Sequence, residues 1–410
     1  MKFIHAADLH LDTPFEGIRD DANSPQSLWK KLQQAPYDSF TRIVNDAIEE
    51  KVDFVLLVGD LFDGKNQSVA AVSFFIDQLN RLDQADIPVL LSFGNHDFQK
   101  DDEVKFAFPK NVFVFPSEVT THQLITKDGE KVKITGFSYD KQAITEDMVA
   151  EFPTNSDADY QIGMVHGAIK SGNDSNYAPF TINEMIDKGY DYWALGHIHK
   201  RQELNQNPLI EYPGDIQGRH KNEAGKKGYL MVTDADDKLH ANFVSTSEVD
   251  FTKLKVKING SMNITDVVNQ VLKTLEQNQF TNLKLLDVIL VNDDNKTSNE
   301  VTNGLLNDLL IESIQQELKN EYQELNGWVY EINLDEKEDI HFSDLDESFW
   351  NETQSSVFNH EMINNLAKKL FKNAFIRDNF SSDEALQNLL DQSKILLKTQ
   401  TEGNEKNSEN

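Results

Sequence analysis

Residues 54–97 read FVLLVGDLFDGKNQSVAAVSFFIDQLNRLDQADIPVLLSFGNHD, and this stretch decides the fold. At each end a short apolar run meets a polar, glycine-containing turn, VGD at Val58–Asp60 and FGN at Phe93–Asn95. Continuous apolar runs of this length are the mark of strands buried on both faces. Between them, from Ser68 to Leu82, apolar residues recur at intervals of three and four, the repeat of an amphipathic helix. The alternation gives α/β character.

The same reading extends outward. KFIHAA near the start, and YQIGMVHG and YWALGH further on, are again buried runs that end in polar turns. KVKITGF, LIEYPG, GYLMVT and LHANFV read as strands without helices between them, so the sheet structure is expected to be mixed. A first domain therefore spans 1–250. A second, over 251–334, reads β-α-β-α-β: alternating Leu254, Val256 and Ile258, then a helical stripe from Ile264 to Leu275 with Asn263 as N-cap, the strand LLDVILV, a helix from Leu305 to Leu318, and the strand WVYEINL. An acidic linker is expected over 335–358. Two helices follow in 359–400, with stripes Met362, Ile363, Leu366, Leu370 and Leu386, Leu389, Leu390, Leu397, and a disordered tail over 401–410.

Composition narrows the chemistry. The chain has 410 residues, no cysteine and a formal charge of −30. Disulfides and thiolate metal sites are excluded, so any metal must be held by nitrogen and oxygen. No apolar run is long enough to span a bilayer. The opening MKFIHAADLHLD lacks the longer apolar stretch of a signal peptide, and a cytoplasmic location is expected. The negative charge weighs against nucleic-acid binding, which draws affinity from Lys and Arg on phosphates. It is unevenly spread, however: 335–361 holds nine acids and one lysine, whereas Arg219–Lys227 (RHKNEAGKK) and Lys253–Lys257 (KLKVK) are locally basic.

Five short motifs occur in order: Asp8-Leu-His10, Gly59-Asp60-Leu-Phe-Asp63, Gly94-Asn95-His96-Asp97, Val165-His166-Gly167 and Gly196-His197-Ile-His199. Singly, each has an ordinary reading. Asn-His-Asp caps helices, GD-x-x-D is a common loop, and a lone histidine is more often a satisfied core residue. Together they stand at the ends of buried strands, and carboxyl ends of strands in an α/β sheet share one edge. Residues two apart on an extended segment point the same way, so Asp8 with His10, and His197 with His199, can each address one point. Four imidazoles, two carboxylates and an amide are too many for one ion and suit two, with one carboxylate bridging. Such ligands fit Mn, Fe, Zn or Ni, with Mn or Fe favoured in the absence of thiolates.

This ordered set resembles the calcineurin-like metallophosphoesterases, whose blocks read D-x-H, GD-x-x-D, GNH-D/E, H and GH-x-H. The resemblance covers roughly residues 1–245 and implies a four-layer α/β/β/α sandwich. It assigns Asp8, His10 and His199 to a first metal, Asp60 to the bridge, and Asn95, His166 and His197 to a second. It makes His96 a catalytic histidine that is not a ligand, oriented by Asp97, with Asp63 supporting the site from behind.

FIHAADLHLDTPF and EYPGDIQGRH further resemble the SbcD-type DNA-repair exonucleases, in their YhaO-like branch. That resemblance implies a small α+β cap domain and C-terminal helices that dock on an SMC-like ATPase of the SbcC or YhaN type. It also implies a homodimer. One departure is Pro213-Gly214-Asp215 where the family has Pro-Gly-Ser, an aspartate unfavourable to phosphate if it points inward.

The expected function is thus a manganese-dependent DNA exonuclease, with hydroxide attack on a phosphodiester and His96 assisting the leaving group. Arg219, His220, Lys226 and Lys227 are the candidate DNA contacts, against the plainer reading of a solvated loop. The alternatives are a phosphodiesterase or pyrophosphatase for a small nucleotide, and a non-catalytic scaffold.

Overall fold

The computed structural model describes residues 1–19, 21–64, 67–100, 107–154, 157–170, 176–235, 238–292, 297–335, 358–372, 386–387, 389–390 and 393. The chain divides into two compact units. The first is Met1–Thr252 with Phe280–Leu285 and Asn326–Trp328; the second is Lys253–Gln279, Leu286–Leu325 and the described residues from Val329 on.

The first unit is built on two six-stranded sheets. In one, β1 (Lys2–Ala7), β2 (Phe54–Val58), β3 (Val89–Ser92) and β4 (Val112–Val114) are parallel neighbours. On the far side of β1, β11 (Gly228–Ala235) and β12 (Lys238–Ser245) continue the sheet antiparallel. In the other, β6 (Lys131–Gly136), β7 (Tyr160–His166), β8 (Tyr192–Gly196) and β10 (Leu209–Tyr212) run parallel, edged by antiparallel β5 (Thr120–Ile125) and β9 (Gln202–Gln206).

Strand periodicity assigns alternate residues to different cores. Val55 and Leu57 of β2 face outward, packing with Phe40 and Ile43 of α2 (Gln26–Glu49) and Phe75 and Leu79 of α3 (Val69–Gln84). Phe54, Leu56 and Val58 face inward, against Val132, Ile162 and Tyr192 of the second sheet. On the outer face of that sheet Trp193, Ile210 and Tyr212 pack with Met185 of α4 (Ile182–Asp187). Helix, sheet, sheet and helix make the four-layer α/β/β/α sandwich. Because both faces of β2 are buried, its sequence shows no alternation. Ser68 starts α3 by accepting the Ala71 N–H at 3.1 Å.

The second unit carries most of a three-stranded sheet in the order β13 (Val249–Ile258), β14 (Leu283–Asn292), β15 (Gly327–Leu334). Val256, Ile258, Leu286 and Val288 of the sheet are buried, as are Val267, Val271 and Leu275 of α5 (Ile264–Asn278). Asn263 caps α5 as expected, in a reciprocal box with Asp266. The single helix expected over Leu305–Leu318 is instead broken. One helix (α6) ends at Leu306 and another (α7) starts at Leu309, because Asp308 takes a left-handed φ of 59° between them. Aspartate is one of the few residues that accept this conformation.

Met362, Ile363 and Leu366 lie on the helix His360–Leu366, with Met362, Leu366 and Leu370 exposed. Leu386, Leu389 and Leu390 are helical, whereas Leu397 lies outside the described residues. So do the expected tail and, apart from Asp335 and Phe358, the acidic linker. No helix among the described residues is long and apolar enough to cross a membrane.

Candidate metal centre

β1, β2, β3, β7 and β8 all direct their carboxyl ends to one edge of the sandwich. The turns there are sharp. Asp8, His10, Asp60 and His197 hold positive φ values of 52°, 43°, 48° and 98°. Non-glycine residues in this region are each strained by roughly 1–3 kcal/mol and persist where surrounding structure enforces them. Glycines make the room. A Cβ on Gly94 would lie 2.2 Å from Asp60 Oδ1 and 2.8 Å from His166 Nε2, and one on Gly59 would meet the His166 ring at 2.2 Å.

Three groups of candidate ligands result; Asp60 belongs to two of them, and the third is His10 with Asp63 and His96. Asp8, His10, Asp60 and His199 present ligand atoms within 4.8 Å of one another, and so do Asp60, His166 and His197. The second cluster includes Asn95, whose Oδ1 is 3.1 Å from His166 Nε2 and 3.0 Å from His197 Nδ1. All seven expected ligands are therefore brought together.

Hydrogen bonds behind the rings fix which nitrogen faces inward. His166 Nδ1 lies 3.0 Å from the Val58 carbonyl oxygen and donates to it, so Nε2 turns toward Asn95 and, at 3.3 Å, Asp60 Oδ2. His199 Nδ1 donates to Glu223 Oε1 at 2.6 Å, leaving Nε2 facing His10 Nε2 at 3.1 Å. Lone pairs that converge at such distances require a proton or a cation between them. Asp60 Oδ2 and His10 Nδ1 are buried without a well-aligned hydrogen bond, although His166 Nε2 stands 3.3 Å from the former and Asp63 Oδ1 3.5 Å from the latter. The donor set fits two divalent cations sharing Asp60.

Two imidazoles are held neutral, whereas His166 is held charged by its carboxylate neighbours. Burial, reinforced by Arg219, pushes the His10 pKa down to about 3, and burial with the His166 charge does the same to His197. Both rings are thus in the neutral form that binds metals. Burial opposes charge on His166, but the carboxylates of Asp60 and then Asp8 outweigh it and lift its pKa to about 9. Burial likewise works against ionised Asp60, yet the His166 charge holds this carboxyl well below its ordinary range.

His96 is exposed beside the first cluster, its ring edge-on to His10 at 5.1 Å. Its Nδ1 donates to the Asp63 carbonyl oxygen at 3.1 Å, which leaves Nε2 free to address a substrate. Asp97 does not orient this ring, contrary to expectation. It is fully buried, and its oxygens accept the backbone N–H groups of Leu61 at 2.7 Å, Phe62 at 3.3 Å and Gly94 at 2.8 Å. Asp97 ties the turn after β2 to the turn after β3.

The basic block also differs from expectation. Arg219 is held between Asp63 Oδ1 at 2.8 Å and Glu223 Oε1 at 3.1 Å. Lys227 is buried, 2.7 Å from Asp215 and donating to the His199 carbonyl oxygen at 2.8 Å. Both cations are committed to internal partners, which corrects their reading as DNA contacts. His220 is half-buried 3.2 Å from Glu223, and only Lys226 of the four is exposed. Asp215 is wholly buried against Lys227, so it does not face an incoming phosphate.

Glu223 was not among the residues singled out from the sequence. Its signal was an acid set four residues after Arg219 within an otherwise basic run.

Comparison with known proteins gives the family of the chain. The family model for calcineurin-like phosphoesterases matches residues 1–201. A metallophosphoesterase of Bacillus subtilis strain 168, YhaO, is 32% identical across 98% of both chains. The chain belongs to the calcineurin-like metallophosphoesterase family, whose members use a dinuclear divalent metal site. It is also similar to the DNA double-strand break repair protein Mre11 of Thermoplasma acidophilum, at 28% identity over 55% of this chain and 60% of that one. A solved structure of a dimetal phosphatase from Danio rerio overlaps 60% of this chain and 96% of its own, with 11% identity and a TM-score of 0.37.

Proposed function

We propose that this protein is a manganese-dependent phosphodiesterase that degrades DNA from its ends in DNA repair, together with an SMC-like ATPase. The observation that carries the reading is the pair of ligand clusters that share the buried Asp60, with a solvent-facing histidine alongside. Similarity to Mre11 proteins supports DNA as substrate. Two divalent ions in such a site would offset phosphate charge and activate a water molecule.

The protein's own groups supply the rest. Asp8, His10, Asp60, Asn95, His166, His197 and His199 set the ions' positions. The Asp63 carbonyl fixes His96 so that Nε2 can deliver a proton to the departing oxygen. The exposed Met362, Leu366 and Leu370 are the surface offered to the ATPase. A cytoplasmic location and a homodimer complete the proposal.

The test is digestion of end-labelled linear duplex DNA with Mn²⁺, comparing the wild type with His96→Ala. The variant is expected to keep its metal and lose at least about 100-fold in cleavage rate. Undiminished cleavage by the variant would remove His96 from the mechanism.

A second reading is favoured by the −30 charge and by the internal pairing of Arg219 and Lys227: the same chemistry on a small nucleotide phosphodiester. Faster turnover of such compounds than of DNA would decide for it.

A further inference from the structure

At the opposite end of the sandwich from the metal centre, the two sheets do not close on each other. The amino ends of β7 and β8, strand β10, the edge strand β9 and the start of β12 line a half-open cleft of about 620 Å³. This is within the range of small-molecule sites. Tyr160 and Asp191 line it, whereas His166 and Gly196 at the other ends of β7 and β8 belong to the metal edge.

Glu211 is the unusual residue of this cavity. It sits on β10 between Ile210 and Tyr212, which belong to the outer core, and so shares the inter-sheet side with Leu209. Only 5% of it is exposed, and its carboxylate has no hydrogen-bond or ion-pair partner among the described residues. The nearby Tyr192 hydroxyl cannot serve. His5 Nε2 donates to the Leu195 carbonyl oxygen, which leaves Nδ1 to accept the Tyr192 O–H at 2.8 Å. Arg201, the cation whose charge reaches Glu211, lies over the Phe243 ring at 4.2 Å.

Although the residue is 5% exposed, its carboxylate oxygens keep contact with the water of the cleft, where a cation could take that water's place. The lining adds Asp191 and Glu203 against Lys238 and His240, so with Glu211 the acids outnumber the one permanent cation of the lining. Leu209, Leu239 and Pro208 give it apolar walls, and Tyr160 and Tyr190 give aromatic ones. Carboxylates with alkyl and aromatic walls suit a cation that carries hydrocarbon. A bare metal ion would leave most of the volume and all of the apolar wall unused.

We propose that this cavity binds a small alkylammonium ligand, with its charged nitrogen on Glu211. The site is separate from the metal centre and does not depend on the proposed function.

The experiment is calorimetric titration of the full-length protein with spermidine at pH 8, for the wild type, Glu211→Gln and Asn242→Lys. Asn242 is exposed at the cavity rim, so its replacement spares the fold and places a repelling charge at the mouth. Saturable binding is expected in the wild type, weakened at least about tenfold by either substitution, with metal-dependent phosphodiester hydrolysis unchanged. Absence of binding in the wild type, or equal binding by both variants, would overturn the proposal. So would displacement of spermidine by equimolar MgCl₂, which would mark a metal site instead.

Discussion

Glu223 shows how much of a metal site lies outside its ligands. Its Oε1 accepts from His199 Nδ1 at 2.6 Å and so points Nε2 at the first cluster, while Arg219 is held against the same oxygen. Partners of this kind are commonly worth ten- to a hundredfold in metal affinity. Glu223→Ala should therefore weaken binding at the first position by about that factor, read by calorimetric Mn²⁺ titration, with Glu223→Gln intermediate. Affinity unchanged in both variants would remove this role. The seven ligands were legible in the sequence because each stands next to a turn glycine or a strand end. Glu223 was not, since its importance depends on which nitrogen of a distant imidazole carries the proton. Similarly, the family pattern places an acid after His96, but only the fold shows that Asp97 is occupied by three backbone N–H groups.

Among the elements, the strand ends matter most, and Asp97 holds two of them in register. Asp97→Ala would strip the Leu61 and Gly94 N–H groups of their partner in a buried place, at about 1–3 kcal/mol each. A large fall in thermal midpoint is expected, whereas a shift below 1 °C would contradict the clamp. In β10, burial first and then the Glu203 charge push the Glu211 pKa up to about 7. Because the folded value exceeds the unfolded one, the protonated form stabilises the fold below about pH 4.5, and this stabilisation is lost as pH rises through 7. Glu211→Gln should thus raise the melting temperature at pH 8 by a few degrees and not at pH 4.5. An equal shift at both values would refute the assignment. Strands buried on both faces and the capped α5 could be read from local pattern. The Leu306–Leu309 break could not, because apolar spacing runs through it and only the left-handed Asp308 interrupts the helix. The long α2 carries Pro36 inside it, a residue that ordinarily ends a helix and so obscures its length.

The whole molecule combines a cationic requirement at one edge with a formal charge of −30. Arg219 and Lys227 beside the site are paired internally and so are not available to neutralise the phosphates of a duplex. If the proposed function holds, binding of the isolated protein to duplex DNA, followed by fluorescence anisotropy at physiological salt, should be weak and should improve when the proposed SMC-like ATPase is added. Tight binding without the partner would contradict this division of labour. All of these expectations depend on loops from five strands delivering seven side chains to one place, with Asp60 common to both clusters. The most direct measurement is Mn²⁺ loading of the metal-stripped protein, followed by electron paramagnetic resonance. Two ions per chain with the spectrum of an exchange-coupled pair are predicted, the coupling lost in Asp60→Ala. A single ion, or two that give only the signal of isolated Mn²⁺, would contradict the shared centre.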